Sequence, residues 1–299
     1  MTRDLEVRHC RTLVAVHDSG GVGAAARALG VAQSTVSETL LSLERLLGTA
    51  VTVRRTGREA VLTAAAEALL PHARALIAMS EAGLAAATRP GKAMIRLGTV
   101  ESISSFLLPG PLSDFRQSWP EVEVRITIGL CEDLRKRVAW SELDVALTIE
   151  GVDRAHDRQA VEAFWPARLR LIVSPQHPLA HGNVRRGDLK ARTCLLADPE
   201  GAFNELVRSW VGDTAHPPRL ESAGSIDGVK RGVLNGDAIG VLPDYAVAEE
   251  LAARSLVALD TDDPLPSIAL CLTTRTAPEP ATPLESLTAK IRDVLGRPG

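Results

Sequence analysis

The stretch from Ala24 to Gly48, AAARALGVAQSTVSETLLSLERLLG, decides how the chain is read. It opens with an alanine-rich helical run from Ala24 to Leu29, which Gly30 stops. After Gly30-Val31-Ala32 a second helix is predicted from about Gln33 to Leu47, closed by Gly48. Val36, Leu40, Leu43 and Leu47 recur at i, i+4, i+7 and i+11, which is one helical face, and Gln33, Ser34 and Ser37 fall on another. Two short helices joined by a glycine-bearing turn form a helix-turn-helix pattern. Its second helix can enter a major groove with its N-terminal residues at base edges. The Gln33 amide suits N6 and N7 of adenine, and Ser34, Thr35 and Ser37 can reach bases or phosphates.

Reading outward, Leu5, Leu13, Val14 and Val16 give an apolar stripe that breaks at Ser19-Gly20-Gly21. Downstream, residues 51–62 read as strand, glycine turn and strand, a β-wing carrying Arg54, Arg55 and Arg58. Such arginines neutralise phosphates or enter a minor groove. Taken singly, a helix pair is often only structural and an arginine trio only a solvated loop. Their order and spacing together argue for DNA. The formal net charge is −3, so any DNA-binding surface is local rather than a property of the whole chain.

A long helix is predicted next, from Ala64 to Ala87, rich in Ala, Leu and Glu and interrupted by Pro71, a point for a kink. Leu69, Ala73, Leu76 and Leu84 supply an apolar seam, and Thr88-Arg89-Pro90-Gly91 marks a boundary. A lone helix of this length has to pack on something, either the chain's own domains or a second copy.

From about Lys92 strands and helices alternate. Strands are expected at Met94–Val100, Val122–Ile128, Leu143–Ile149, Arg168–Ser174, Cys194–Leu196, Ala238–Leu242 and Ile268–Leu272, with helices at Phe106–Trp119, Asp133–Trp140 and Pro283–Leu295. This order argues for a largely parallel sheet. Ligands of such sheets bind in the crevice beyond the carboxyl ends of the strands. The rule selects Val100, Glu101 and Ser102, then Leu130 and Cys131, then Thr148 and Ile149, and further on Phe203, Ser225 and Ile226. Backbone N–H groups at such helix starts hold carboxylates. The Ser102 and Ser225 hydroxyls serve either as ligand contacts or simply as N-caps. Glu101 is unusual for an anion site and favours a ligand with an amino or hydroxyl group.

Composition excludes several classes. The 299 residues are 45% hydrophobic and 24% charged, ordinary for about two globular domains. No apolar run reaches the length of a membrane span and the N-terminus has no apolar signal region, so a cytoplasmic protein without membrane contact is expected. Cys10, Cys131, Cys194 and Cys271 lie far apart, without zinc spacing, and read as buried thiols or as a redox pair brought together by folding. No zinc-protease, P-loop, nucleophile-elbow or dinucleotide motif occurs, so neither catalysis, metal nor cofactor is expected. His177 lies in a structural His-Pro-Leu-Ala loop. Aromatic residues make up 3% of the chain, leaving Phe106, Trp165 and Phe203 as single contributors to a pocket.

The series Leu13-Val14-Ala15-Val16, Ala25-Ala26, Leu29, Gln33, Val36-Ser37, Leu43-Glu44, Leu47-Gly48, Arg54-Arg55 and Leu62-Thr63 resembles the DNA-binding domain of LysR-type transcriptional regulators. Ile95-Arg96-Leu97-Gly98, Leu107-Leu108-Pro109, Phe115-Arg116, Trp119-Pro120, Leu143-Asp144-Val145-Ala146, His177-Pro178-Leu179-Ala180 and Gly240-Val241-Leu242-Pro243 resemble that family's effector domain. The resemblance covers nearly the whole chain. It implies an α/β protein with an N-terminal winged helix-turn-helix (residues 1–63), a linker and dimerisation helix (64–91) and a periplasmic-binding-protein-like effector domain (92–299). The effector domain would have two lobes, residues 92–165 with 268–299 and residues 166–267. Gln33, Ser34, Thr35, Ser37 and Glu38 would then lie on the recognition helix, and Arg54, Arg55 and Arg58 on the wing. The implied partners are double-stranded operator DNA, a small-molecule effector between the lobes and further copies of the chain, as a dimer or, as the resemblance favours, a tetramer. RNA polymerase is a further candidate partner.

The sequence also departs from the family pattern. Ala32 and Ser34 stand where Ser and Pro are common, and Gly21-Val22 and Thr52 replace larger residues, trimming core volume. Glu38 replaces a basic or polar residue; phosphates repel it, yet it can accept from cytosine N4. The alternative reading, a cytoplasmic small-molecule sensor without a DNA role, needs only the residues from about Lys92 onward.

Overall fold

The protein is described from a computed structural model covering residues 4–54, 60–88, 93–151, 161–190, 192–197, 202–212, 217–275 and 282–295. The chain divides into two compact units, residues 1–93 with 139–142 and residues 94–138 with 143–299.

In the first unit, α1 (Val7–Ser19), α2 (Val22–Leu29) and α3 (Gln33–Leu47) precede an antiparallel ribbon of β1 (Thr52–Arg54) and β2 (Ala60–Leu62), and then α4 (Ala64–Thr88). Gly30 ends α2 at φ +66°, a conformation in which a side chain would be strained. Leu13, Val16, Val36, Leu40, Leu43, Val51, Ala66, Leu70 and Ala73 close one core. Each large aliphatic side chain buried there contributes on the order of 1.5–3 kcal/mol. Leu47, in the last turn of α3, lies outside that core, 37% exposed. The predicted seam of α4 is likewise split. Leu69 and Ala73 face the core, whereas Leu76 and Leu84 are exposed. α4 runs through Pro71, whose missing N–H removes one bond from the helical ladder.

Polar side chains lock this unit. His9 accepts from the Glu6 N–H at Nδ1 (3.2 Å) and meets Ser42 Oγ at Nε2 (3.2 Å), tying α1 to α3. Glu44 accepts from the Val51 N–H (2.9 Å). Thr63 donates to the Ala50 carbonyl (2.8 Å) and accepts from the Ala66 N–H (3.3 Å), capping α4.

The second unit opens with β3 (Met94–Thr99), α5 (Glu101–Phe106), α6 (Pro109–Ser118), β4 (Glu123–Ile128), α7 (Cys131–Ala139) and β5 (Val145–Gly151). It continues with β6 (Val161–Val173), β7 (Asn183–Val184), β8 (Thr193–Leu196), α8 (Ala202–Val211), β9 (Arg219–Ser222), α9 (Ile226–Leu234) and β10 (Ile239–Pro243). α10 (Ala248–Ala252), β11 (Val257–Ala258), β12 (Asp260–Thr261), β13 (Ser267–Thr274) and α11 (Pro283–Leu295) complete it. The main sheet runs β4-β3-β5-β13-β6-β10-β8-β9, with β11 also beside β6.

The sheet is mixed rather than largely parallel. The strands are parallel within β4-β3-β5 and within β10-β8-β9, but β13 runs antiparallel to β5 and β6, and β6 antiparallel to β10. β6 is 13 residues long and changes partner along its length: Arg168 faces Ser267 of β13, and Leu169 faces Pro243 of β10. The first half of the unit therefore centres on β3–β5 and β13, and the second on β8–β10.

Two matched motifs have structural work in the first half. Arg96 and Asp144 form a bidentate pair (2.7 and 3.2 Å), and Asp144 also accepts from the Arg96 N–H (2.7 Å), fixing β3 beside β5. A Cβ at Gly98 would stand 2.5 Å from Leu143 and 2.8 Å from Leu134, so α7 packs closely only over glycine.

The helix expected over residues 106–119 is α6 (Pro109–Ser118), and a further short helix, α5, precedes it. α5 is a separate turn and a half directly after β3, and α6 restarts at Pro109, which suits a first helical turn.

Candidate functional site

The outward face of α3 is the first site. Gln33, Ser34, Thr35 and Glu38 are exposed and Ser37 is half-buried. Their side chains form no hydrogen bond or ion pair with other described residues, while Val36, Leu40 and Leu43 on the opposite face hold the helix in the core. Ala32, the N-cap of α3, offers no side-chain cap. Arg54 ends β1; its side chain, and all of Arg55 and Arg58, lie outside the described residues.

The second site lies where the halves of the second unit meet around α5. Val100 is the N-cap position of α5 and leaves the helix uncapped by its side chain. Glu101 Oε1 accepts from the Ile226 N–H at the start of α9 (3.3 Å). Ser102, 4% exposed, accepts at Oγ from the Tyr245 hydroxyl (3.0 Å). Ser225 caps α9 by accepting from the Gly228 N–H (3.0 Å), so that hydroxyl is already committed to the helix end. Tyr245 also stacks obliquely on Trp165, centroids 5.7 Å apart. Burial pushes the Tyr245 phenol up, so it stays protonated and donates.

Under α7 the remaining residues form a buried polar layer. Cys131 Sγ donates to the Ile149 carbonyl (3.4 Å), and Arg135 pairs with Glu150. Thr148 is not on a loop after the third strand, because β5 continues to Gly151 and encloses it. It faces Cys271 across the β5–β13 ladder, fully buried, and its hydroxyl has no hydrogen-bond partner among the described residues. Phe203 begins α8; its side chain lies outside the described residues.

The structure therefore joins Glu101 to Ile226 and Ser102 to Tyr245 by direct hydrogen bonds. Tyr245, Lys230 and Glu250 were not expected there. Lys230 is 9% exposed, with Nζ bonded to Glu250 (2.6 Å) and 4.8 Å from the centre of the Phe106 ring. The one sequence signal for Tyr245 is its place two residues beyond the Gly240-Val241-Leu242-Pro243 motif.

Burial raises every cysteine thiol, Cys194 to about 12 and Cys271 to about 11. Protonated, buried thiols are poor nucleophiles, which favours the structural reading over a redox pair. His177 accepts from the Leu179 N–H (3.1 Å) and meets the Asp237 carbonyl (3.1 Å), a loop staple. Among the described residues no group of three or more His, Cys, Asp or Glu is placed to hold a metal, and no helix is long and apolar enough to cross a membrane.

Against known proteins, residues 88–296 match the family described as the LysR substrate binding domain. Residues 7–67 match the bacterial regulatory helix-turn-helix protein, lysR family. A probable hydrogen peroxide-inducible genes activator of Mycobacterium avium is 32% identical over 260 residues, covering 83% of this chain and 81% of the relative. The transcriptional regulator MetR of Salmonella typhimurium is 28% identical over 259 residues, covering 86% and 80%. In three dimensions ArgP of Mycobacterium tuberculosis is similar at a TM-score of 0.64 and 19% identity, covering 98% of each chain.

Proposed function

The chain belongs to the LysR family of bacterial transcriptional regulators, and from that premise we propose that it binds operator DNA through α3 and the β1–β2 wing under control of a small molecule bound around α5. Members of this family carry a helix-turn-helix for DNA and an effector-binding domain, and they form oligomers. The observation that carries the reading for this chain is the outward face of α3, where Gln33, Ser34, Thr35 and Glu38 are exposed and, among the described residues, unpaired, beside a tightly packed opposite face. Side chains so placed are free to meet base edges without first breaking bonds within the protein.

In this reading residues 1–63 are the DNA-binding domain, 64–91 the linker helix and 92–299 the effector domain, with lobes of 92–165 plus 268–299 and 166–267. The partner change within β6 supports a division near residue 168. The effector meets Val100, Glu101, Ser102, Cys131, Thr148, Phe203, Ser225 and Ile226; the buried, unpaired Thr148 hydroxyl offers it a polar contact. Leu76, Met79 and Leu84, 40%, 66% and 61% exposed on α4, give a second copy an apolar surface. The protein acts in the cytoplasm as a regulator rather than an enzyme, as a dimer or tetramer, with RNA polymerase as a further partner.

Effector binding changes the relation of the lobes and thereby DNA affinity. This requires the ligand to bind the two forms unequally, and operator DNA then alters ligand affinity in turn. A mobility-shift titration of the purified protein on the DNA upstream of its own gene, with random-sequence competitor, tests the proposal. A shift that survives competitor is expected. No shift on that DNA or on any fragment selected genome-wide would favour a sensor without a DNA role.

A further inference from the structure

We propose that α5 is a built-in clasp that holds the two halves of the second unit together, with Glu101 as its exposed, releasable end. α5 follows β3, in the first half, yet its side chains are spent on the second half. Glu101 Oε1 accepts from the Ile226 N–H (3.3 Å), Ser102 Oγ accepts from the Tyr245 hydroxyl (3.0 Å), and Phe106 offers its ring to Lys230 Nζ (4.8 Å). Ile226 and Lys230 belong to α9, and Tyr245 follows β10. Ser102 and Phe106, four residues apart, share one face of this short helix, and Glu101 reaches out from its first position.

The contacts are unequal in a way that gives the clasp a fixed end and a free end. Ser102 is buried and Tyr245 is held against Trp165, so parting them strands a buried oxygen without its donor. Lys230 is fixed from behind by Glu250 (2.6 Å). Glu101 is exposed, and its bond is the longest of the two hydrogen bonds. Water reaches this bond from the Glu101 side, whereas Ile226 is buried. Release of Glu101 therefore frees one end of α5 while Ser102–Tyr245 stays as the pivot. This gives the proposed effector a defined point of action: a ligand group that takes the Ile226 N–H opens the clasp without disturbing either core. The clasp itself stands on the contacts alone; only its link to the effector rests on the proposed function.

Hydrogen–deuterium exchange of the full-length, effector-free protein tests it, comparing wild type with Glu101→Ala, Glu101→Gln and Tyr245→Phe. In Glu101→Ala, exchange is expected to rise about fivefold both in residues 101–106 and at the start of α9, with a smaller fall in the unfolding midpoint than Tyr245→Phe gives. Glu101→Gln, which keeps an acceptor oxygen, is expected to restore most of the protection. Tyr245→Phe, which breaks the pivot, is expected to raise exchange in both segments more than Glu101→Ala does. Exchange that stays at wild-type levels in Glu101→Ala, or that rises only in residues 101–106, would overturn the clasp. Failure of the wild-type protein to bind DNA would sink the regulatory reading and leave these exchange results to stand by themselves.

Discussion

The outward face of α3 and the surroundings of α5 are opposite kinds of surface. On α3 the side chains of the candidate residues Gln33, Ser34, Thr35, Ser37 and Glu38 have no hydrogen-bond or ion-pair partners among the described residues, and their neighbours Val36, Leu40 and Leu43 hold the helix from behind. Around α5 the candidate residues are already engaged: Glu101 with Ile226, Ser102 with Tyr245, Ser225 with Gly228, and Cys131 with Ile149. A face that waits for a large, charged partner can be rigid and free. A site that has to respond to a small molecule needs contacts that can be exchanged, because a ligand shifts an equilibrium only through bonds that differ between two states.

This contrast predicts separable effects of mutation. The largest lies behind α3. Leu43→Ala empties a fully buried position and should cost about 2–5 kcal/mol of stability, read as a lower denaturation midpoint of the first unit. Little change would mean that the core around α3 is looser than its burial indicates. Next comes the front of the same helix. Gln33→Ala should weaken specific DNA binding by about 1–3 kcal/mol while leaving the denaturation midpoint within roughly 0.5 kcal/mol of wild type. A variant that loses stability instead would place Gln33 in the fold rather than on DNA.

Around α5 the expected effects are smaller. Tyr245→Phe leaves the Ser102 oxygen buried without its donor and should destabilise the second unit by about 1–2 kcal/mol in urea unfolding. On α3 again, Glu38→Ala should alter which operator bases are preferred; an unchanged preference in a binding-site selection would show that Glu38 reads no base. The smallest effect is a null one. With Cys271 raised to about 11 and Cys194 to about 12, each is almost wholly protonated at pH 8. Thiol reagents should modify them only as the protein unfolds or as the pH approaches those values. Rapid modification of the folded protein at pH 8 would revive the redox reading.

The same contrast explains what was legible in the sequence. The recognition helix is local: its limits, its inward face and its outward face all follow from a helical period and two glycines, and α3 spans the residues that the period predicts. The spacing does not show where the neighbours of a helix end: Leu47 shares a face with Val36, Leu40 and Leu43, yet it lies partly exposed. Around α5 the strand-end rule selects Glu101 and Ile226, which meet in a hydrogen bond, and Ser102, which bonds instead to Tyr245. α5 itself was missed because Ile103 is the one aliphatic residue in Glu101–Phe106, too little for a period to register. Tyr245, Lys230 and Glu250 were invisible because they arrive from residues more than a hundred positions away in sequence from α5. The antiparallel placement of β13 and β6 is likewise a matter of pairing partners, which strand order along the chain does not determine.

The most direct test of the central claim is a mobility-shift titration on the DNA upstream of the gene, at low and high salt, of wild type beside a Gln33→Ala, Ser37→Ala double variant. The account predicts that the variant loses sequence-specific binding but keeps the salt-sensitive, non-specific component, because phosphate contacts made elsewhere on the domain remain. A double variant that binds the same DNA as specifically and as tightly as wild type would contradict it.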